Sequence, residues 1–148
     1  MQCPTPNPFI FESDKLDEHL STLEGDQPIA LFGLKALNDI LGGVHPGLNY
    51  AIGTGPGKGK TTLALQETDK LANDGHPVIY VSAELPAHKL LEKSLARLSG
   101  NELALSEVAD AAAEDHPKHE AFEAALNRYR NRIAPNLCIT GPLNTSLG

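Results

Sequence analysis

Cysteine, long apolar runs and basic charge are all scarce in this chain, and each scarcity narrows what it does. Cysteine occurs only at Cys3 and Cys138. Two thiols this far apart, without metal-like spacing, leave a disulfide open, but the expectation is a pair of free thiols in a reducing cytoplasm. No stretch of about 18 apolar residues is present that could cross a bilayer. The N-terminus lacks a basic segment followed by a long apolar run, so no signal peptide is expected. Lys and Arg total 12 against 19 Asp and Glu, a formal net charge of −7. Bulk charge therefore does not mark a nucleic-acid surface, and any such contact is local. A cytoplasmic protein without a membrane partner is expected. No internal repeat or low-complexity tract occurs. What remains is 148 residues at 41% hydrophobic content, enough for one domain with a real core.

The chain is organised around Gly53-Thr54-Gly55-Pro56-Gly57-Lys58-Gly59-Lys60-Thr61-Thr62. An apolar run, Leu48 to Ile52, reads as a strand leading in, and Leu63 to Ala72 reads as a helix leading out. Strand, glycine-rich loop, Lys-Thr and helix is the arrangement that cradles a nucleoside triphosphate. Glycines let backbone N–H groups face phosphate oxygens without an intervening Cβ. Lys60 has the reach for the β- and γ-phosphates, and the Thr61 hydroxyl suits Mg²⁺. The pattern G-x-x-x-x-G-K-[ST] wants its first glycine where this chain has Thr54, with Gly53 and Gly55 on either side. The competing reading is a glycine-rich hairpin or linker with incidental lysines.

Pro4, Pro6 and Pro8 favour an extended lead-in, and Ser13 to Gly25 reads as a short capped helix carrying Leu16, Leu20 and Leu23. Residues 1–25 are thus expected to form an N-terminal segment, and residues 26–148 the main domain. Pro28 to Phe32 reads as extended, and Leu34, Leu37, Ile40 and Leu41 recur at helical spacing up to Gly42-Gly43. After the loop, Ala64, Thr68, Leu71 and Ala72 form a narrow helical stripe. Val78 to Val81 is a continuous apolar strand, the kind that a parallel sheet covers on both faces.

Pro86 suits the first turn of the next helix, whose apolar face is Leu90, Leu91, Leu95 and Leu98. Lys89, Lys93 and Arg97 line its other side at i, i+4 and i+8, expected as a solvated face rather than a ligand site. Residues 101–116 carry little pattern beyond a short helix from Ser106, and His116 and His119 are expected as surface histidines rather than a metal pair. A helix with Phe122, Ala125, Leu126, Tyr129 and Ile133 on one stripe follows, then a third strand, Leu137 to Thr140. Strands alternating with helices predict an α/β fold with a parallel sheet.

Hydrolysis needs a group that activates water, and Glu84 is the candidate. Ligands of open parallel sheets sit beyond the carboxyl ends of the strands, where Glu84 stands. A carboxylate there accepts a proton from attacking water, an effect of about 10²–10⁴ in rate. Spacing alone serves equally well an acid that opens a helix and complements its dipole.

At this point the residues carry a family resemblance. Residues 33–61, with Gly33-Leu34-Lys35-Ala36-Leu37-Asn38 and Leu41-Gly42-Gly43 before the loop, resemble the lead-in of RecA-like ATPases, where Asp is usual at the place of Asn38. Val81-Ser82-Ala83-Glu84-Leu85-Pro86 and Lys93-Ser94-Leu95-Ala96-Arg97-Leu98-Ser99 look most like the ATPase domain of DnaB-type replicative helicases, with Lys93 in place of Arg. That family tolerates a non-glycine at the first loop position. The resemblance implies that Lys60 and Thr61 handle phosphate and Mg²⁺, and that Glu84 is the catalytic glutamate. It also implies that Gly55, Pro56, Gly57, Lys58, Gly59 and Thr62 wrap the phosphates of ATP. A hexameric homo-oligomer and single-stranded DNA are implied for the intact protein.

No run of four apolar residues ending in Asp follows position 100, so the Walker B strand that the family requires is not found. The family's DNA-binding loops and arginine finger are missing as well. The expectation is a partial RecA-like domain, cut before Walker B, with an incomplete sheet. The leading reading is the ATP-hydrolysing motor domain of a replicative-helicase-type protein. The alternatives are a KaiC- or RadA-type ATPase, or a module that binds nucleotide without turnover.

Overall fold

The computed structural model describes residues 16–17 and 27–140. Leu16 and Asp17 are helical. The rest of the helix expected from Ser13 to Gly25, the proline-rich lead-in and the tail after Thr140 lie outside the described residues. Among the described residues no helix is long and apolar enough to cross a membrane.

The lead-in to the glycine loop is held by hydrogen bonds more than by burial. Ala30 and Val44 form an isolated antiparallel bridge, in which Ile29 N donates to Val44 O and Val44 N to Ala30 O, both at 2.8 Å. Helix α1 (Lys35–Leu41) follows and stops at Gly42, whose φ of +75° is the left-handed stop that glycine adopts freely. The expected stripe forms, but none of its helical residues is buried, and Ile40 is 78% exposed. Asn38 stabilises the turn instead: its Oδ1 accepts from Phe32 N at 2.8 Å and its Nδ2 donates to Phe32 O at 2.9 Å.

The strand expected at Leu48–Ile52 does not form. These residues join no ladder, and Leu48 and Ile52 are 59% and 45% exposed. A strand needs a neighbour to exchange hydrogen bonds with, and none lies beside this segment among the described residues. Tyr50 ties it back: its hydroxyl donates to Gly43 O and accepts from His45 N, each at 3.0 Å, and its ring meets Phe32 edge-on.

Beyond the loop come α2 (Lys60–Asn73), β1 (Val78–Val81) and α3 (Ala87–Leu98), then two 3₁₀ turns at Leu105–Glu107 and Asp110–Ala112. Helix α4 (His119–Arg128) widens into a π turn at Tyr129–Ile133, and β2 (Leu137–Thr140) follows a last 3₁₀ turn. Strands β1 and β2 pair in parallel, with Val78 opposite Leu137 and Val81 opposite Thr140. A parallel pair requires a long crossover, which α3 and α4 supply. The α/β class with a parallel sheet is as expected. The double coverage is not: burial alternates along both strands, and Ile79 and Val81 are 72% and 77% exposed. Helix α2 packs on one face of the pair, and no described element covers the other.

The core lies between α3, α4 and the 3₁₀ turns, where Leu95, Leu103, Val108, Ala111 and Ala125 pack together. The stripe expected on α4 holds: Ala125 and Ile133 are buried, while Phe122, Leu126 and Tyr129 border the cluster. The segment 101–116 differs from expectation. Instead of a helix from Ser106 it makes short turns, and it supplies three of the five core side chains. Glu107 pins it, accepting from Ala104 N at 2.9 Å and from Lys118 Nζ at 2.7 Å. The Lys118 ammonium and that amide hold the Glu107 carboxyl below its ordinary pKa. His116 and His119 serve the same local packing. His116 Nδ1 accepts from Lys118 N, and His119 Nδ1 lies 3.1 Å from Ala111 O.

Candidate functional site

The loop reaches α2 through two left-handed residues, Gly57 at φ +69° and Gly59 at φ +88°. A side chain at either position costs about 1–2 kcal/mol. Gly59 is the N-cap, so α2 starts at Lys60 with no side-chain cap and no acid in its first turn. The first backbone N–H groups of a helix lack intrahelical partners and carry the positive end of its dipole. Here they open onto an exposed loop, which is how a helix receives an anion. Lys60 folds back across the loop and donates to Thr54 O at 3.3 Å. Thr54 does not occupy a left-handed position, so the departure from glycine brings no backbone strain. Its hydroxyl donates to Gly55 O at 2.8 Å.

A cleft of about 410 Å³ opens beside this helix end, within the range of small-ligand sites. Pro56, Gly57, Lys58, Gly59, Lys60, Thr61 and Thr62 line one side, and Glu84, Leu85 and Lys93 complete it. Every candidate site residue from the sequence is therefore on its wall except Gly55, which is exposed and does not line it. Glu84 arrives from the carboxyl end of β1 by a tight turn. Ser82 Oγ donates to Leu85 O at 2.6 Å and accepts from Leu85 N at 3.0 Å. Ser82 N also donates to Thr140 O, carrying the β ladder one residue further. The Glu84 side chain is exposed, without an ion pair or hydrogen bond among the described residues.

Lys93 stands in place of the resembling family's arginine but was expected on a solvated face, as one of three bases on a line. The structure separates the three. Lys89 pairs with Glu92 at 2.8 Å, Arg97 pairs with Asp69, and Lys93 turns to the cleft. Two carboxylates on α2 were likewise missed, because acids between apolar helix positions read as solvent-facing. Asp69 is 1% exposed; Ser94 Oγ donates to it at 2.6 Å and Arg97 donates to the same oxygen. Burial raises the Asp69 pKa, and the Ser94 hydroxyl and Arg97 guanidinium only partly oppose it. Asp69 thereby brackets α2, which begins in the loop, to α3, which begins just after Glu84. Glu67 is buried too and accepts from Gly33 N. A Cβ on Gly33 would stand 3.0 Å from Lys70 Cδ and 3.3 Å from the Glu67 carboxylate, so glycine permits this close approach.

Among the described residues no three His, Cys, Asp or Glu side chains are grouped to hold a metal by themselves. The donors facing the cleft, the Thr61 hydroxyl and the Glu84 carboxylate, are hard oxygens. Such a set suits Mg²⁺, which commonly takes one or two protein ligands and completes its shell with phosphate and water.

Comparison with known proteins bears on the family. Residues 33–61 and 81–99 carried the resemblance, and a family described as DnaB-like helicase C terminal domain matches residues 31–136. The chain is also similar to DNA repair protein RadA of Streptococcus pyogenes serotypes M6 and M18, at 45% identity over 62 residues. That match covers 41% of this chain and 14% of each relative. No solved structure matches. With 106 consecutive positions matched, including the loop, the cleft wall and the helices of the core, the chain belongs to the DnaB-like helicase C-terminal domain family.

Proposed function

We propose that residues 26–148 form part of a RecA-like ATPase domain that binds ATP with Mg²⁺ at the loop of residues 53–62. Residues 1–25 are an N-terminal extension to it. The observation that carries this reading is the shared cleft: Lys60 and Thr61 from the start of α2 and Glu84 from the end of β1 line one cavity. The loop amides and the Lys60 ammonium bind the phosphates, with Gly55, Pro56, Gly57, Lys58, Gly59 and Thr62 shaping the loop around them. Thr61 would hold Mg²⁺, whose charge would offset that of the phosphates. Glu84 orients a water and accepts its proton as the water oxygen bonds to the γ-phosphorus and the bond to the β–γ bridging oxygen breaks. ADP and inorganic phosphate are the products.

In the full-length protein this is the motor of a replicative-helicase-type ATPase, assembled as a homo-oligomer and acting on single-stranded DNA. Family membership supports that assignment. The identity to DNA repair protein RadA favours a second reading, a RadA-type ATPase with the same nucleotide site. Titration calorimetry with Mg-ATP tests the site common to both. Wild type gives a saturable heat, and Lys60→Ala weakens binding at least about tenfold, a loss of roughly 1.4 kcal/mol or more. Equal heats in the two proteins overturn the proposal. Glu84→Gln separates binding from turnover: it retains Mg-ATP within about threefold while any hydrolysis falls by about 10²–10⁴.

A further inference from the structure

We infer that Glu67 is a positioning residue for the loop: it ties Phe32-Gly33 to α2 and so sets the spacing between the two ends of residues 53–59. This role rests on the nucleotide reading above and extends it to a carboxylate that does not line the cleft.

The loop ends at Gly59, the cap of α2, and it begins after the exposed segment Leu48–Ile52, which joins no ladder. A path of contacts nevertheless closes around it. Three residues before Gly53, the Tyr50 ring meets the Phe32 ring edge-on, with centroids 5.4 Å apart. Asn38 holds Phe32 by both its N–H and its carbonyl. The next amide, Gly33 N, donates to Glu67 Oε2. Glu67 lies on α2 seven residues past Lys60. Two helical turns separate them, so both leave the helix on the same side, about 10 Å apart along its axis. Contacts thus run from the loop entrance through Tyr50, Phe32, Gly33 and Glu67 to the helix that forms the loop exit.

Glu67 is 7% exposed, and no donor among the described residues reaches its Oε1. A carboxylate buried with one oxygen unpartnered costs stability, and an apolar residue serves packing better. Its tie to Gly33 is close. A Cβ on Gly33 would stand 3.3 Å from both carboxylate oxygens and 3.0 Å from Lys70 Cδ. The Lys70 stem therefore lies beside this contact, while its ammonium pairs with Asp74 and leaves Glu67 to the Gly33 amide. Between residues 27 and 60 no hydrophobic side chain is buried, so apolar packing does little to place the loop entrance. The polar tie to α2 does it instead.

The test is Mg-ATP titration calorimetry and amide hydrogen exchange on wild type, Glu67→Ala, Glu67→Gln and Gly33→Ala, with Lys60→Ala as control. Glu67→Ala is expected to weaken Mg-ATP about five- to tenfold, although Glu67 is not on the cleft wall. Glu67→Gln keeps an acceptor for Gly33 N and should stay within about threefold of wild type. Gly33→Ala crowds the same contact from the other side. Combined with Glu67→Ala, it should weaken binding no further than the stronger single variant. Saturating Mg-ATP should slow exchange of the amides of residues 30–38 about fivefold in wild type and leave it unchanged in Glu67→Ala, since coupling between sites is reciprocal. A merely structural residue would shift that exchange equally with and without nucleotide. Should Glu67→Ala not fold, Gly33→Ala decides by the same two measurements. If Lys60→Ala loses binding while Glu67→Ala binds like wild type, or keeps the nucleotide-dependent protection, this inference fails and the nucleotide reading stands. If wild type and Lys60→Ala give equal heats, both fail. A loss in Glu67→Ala that glutamine does not restore also overturns the inference, because the tie requires an acceptor rather than a charge.

Discussion

Between residues 27 and 60 no hydrophobic side chain is buried, whereas nine are buried among the described residues from Leu65 to Thr140. The first region is held by directional polar contacts: Asn38 on Phe32, Tyr50 on Gly43, and Gly33 on Glu67. The second is held by apolar packing among α3, α4 and the 3₁₀ turns. The candidate phosphate cradle sits on the boundary, with its loop in the first region and the helix it feeds in the second. Loops that admit a ligand belong to the parts of a protein that open at low free-energy cost. The helix end that presents the amides has to be anchored, and α2 is anchored by Ala72 and Leu65 as well as by Asp69.

The largest expected effect is in the packed region. Leu90 is fully buried, and Leu90→Ala should lower unfolding free energy by about 3–4 kcal/mol in urea titration. Ile40→Ala, on a residue 78% exposed, should cost no more than about 0.5 kcal/mol. Similar costs for the two substitutions would erase the contrast.

Next comes the bracket between α2 and α3. Asp69→Ala strands the Arg97 guanidinium and Ser94 hydroxyl and should cost about 3 kcal/mol. Asp69→Asn keeps the shape and removes the charge. The folded pKa of Asp69 lies above its unfolded value, so the native state holds that proton more tightly. Its contribution to stability is complete below the unfolded pKa and falls as pH rises through the folded one. A series of unfolding curves across the acidic range should show that slope in wild type and lose it in Asp69→Asn. Glu107, with its pKa lowered by Lys118, slopes the opposite way, losing its contribution as pH falls through the folded pKa. An unchanged profile in Asp69→Asn would show that its burial carries no charge cost.

The smallest effect concerns the polar region alone. Asn38→Asp keeps an acceptor for Phe32 N but loses the donor to Phe32 O, a change of about 1 kcal/mol. The α1 amides should then exchange with solvent about fivefold faster. The α3 amides should not change. A parallel change in α3 would mean the two regions open together.

Much of this architecture was readable from local pattern. α2, α3 and α4 announced themselves by helical spacing, and Gly42, Gly75 and Gly100, each left-handed, marked where helices end. The two strands that pair were readable as short apolar runs. Leu48–Ile52, read as an apolar run despite Asn49, failed as a strand, because pairing depends on a distant partner that no local pattern encodes. Leu103, Val108 and Ala111 escaped notice because 3₁₀ turns impose no long period on their apolar residues. Glu67 and Asp69 escaped because only a tertiary partner makes a buried carboxylate tolerable, and Gly33, Ser94 and Arg97 are 34, 25 and 28 residues away. In the cleft, the loop and Glu84 were legible from order along the chain. Lys93 was not, since three evenly spaced bases look alike until their neighbours are known.

The open face of the β1–β2 pair has a practical consequence. Cys138 is a free, exposed thiol on that face, standing opposite Ile79 in the ladder. Its rate of alkylation therefore reads out solvent access to this patch directly. In a Cys3→Ser background a single maleimide becomes a gauge of whatever shields Ile79 and Val81, at a site that shares no residue with the cleft wall.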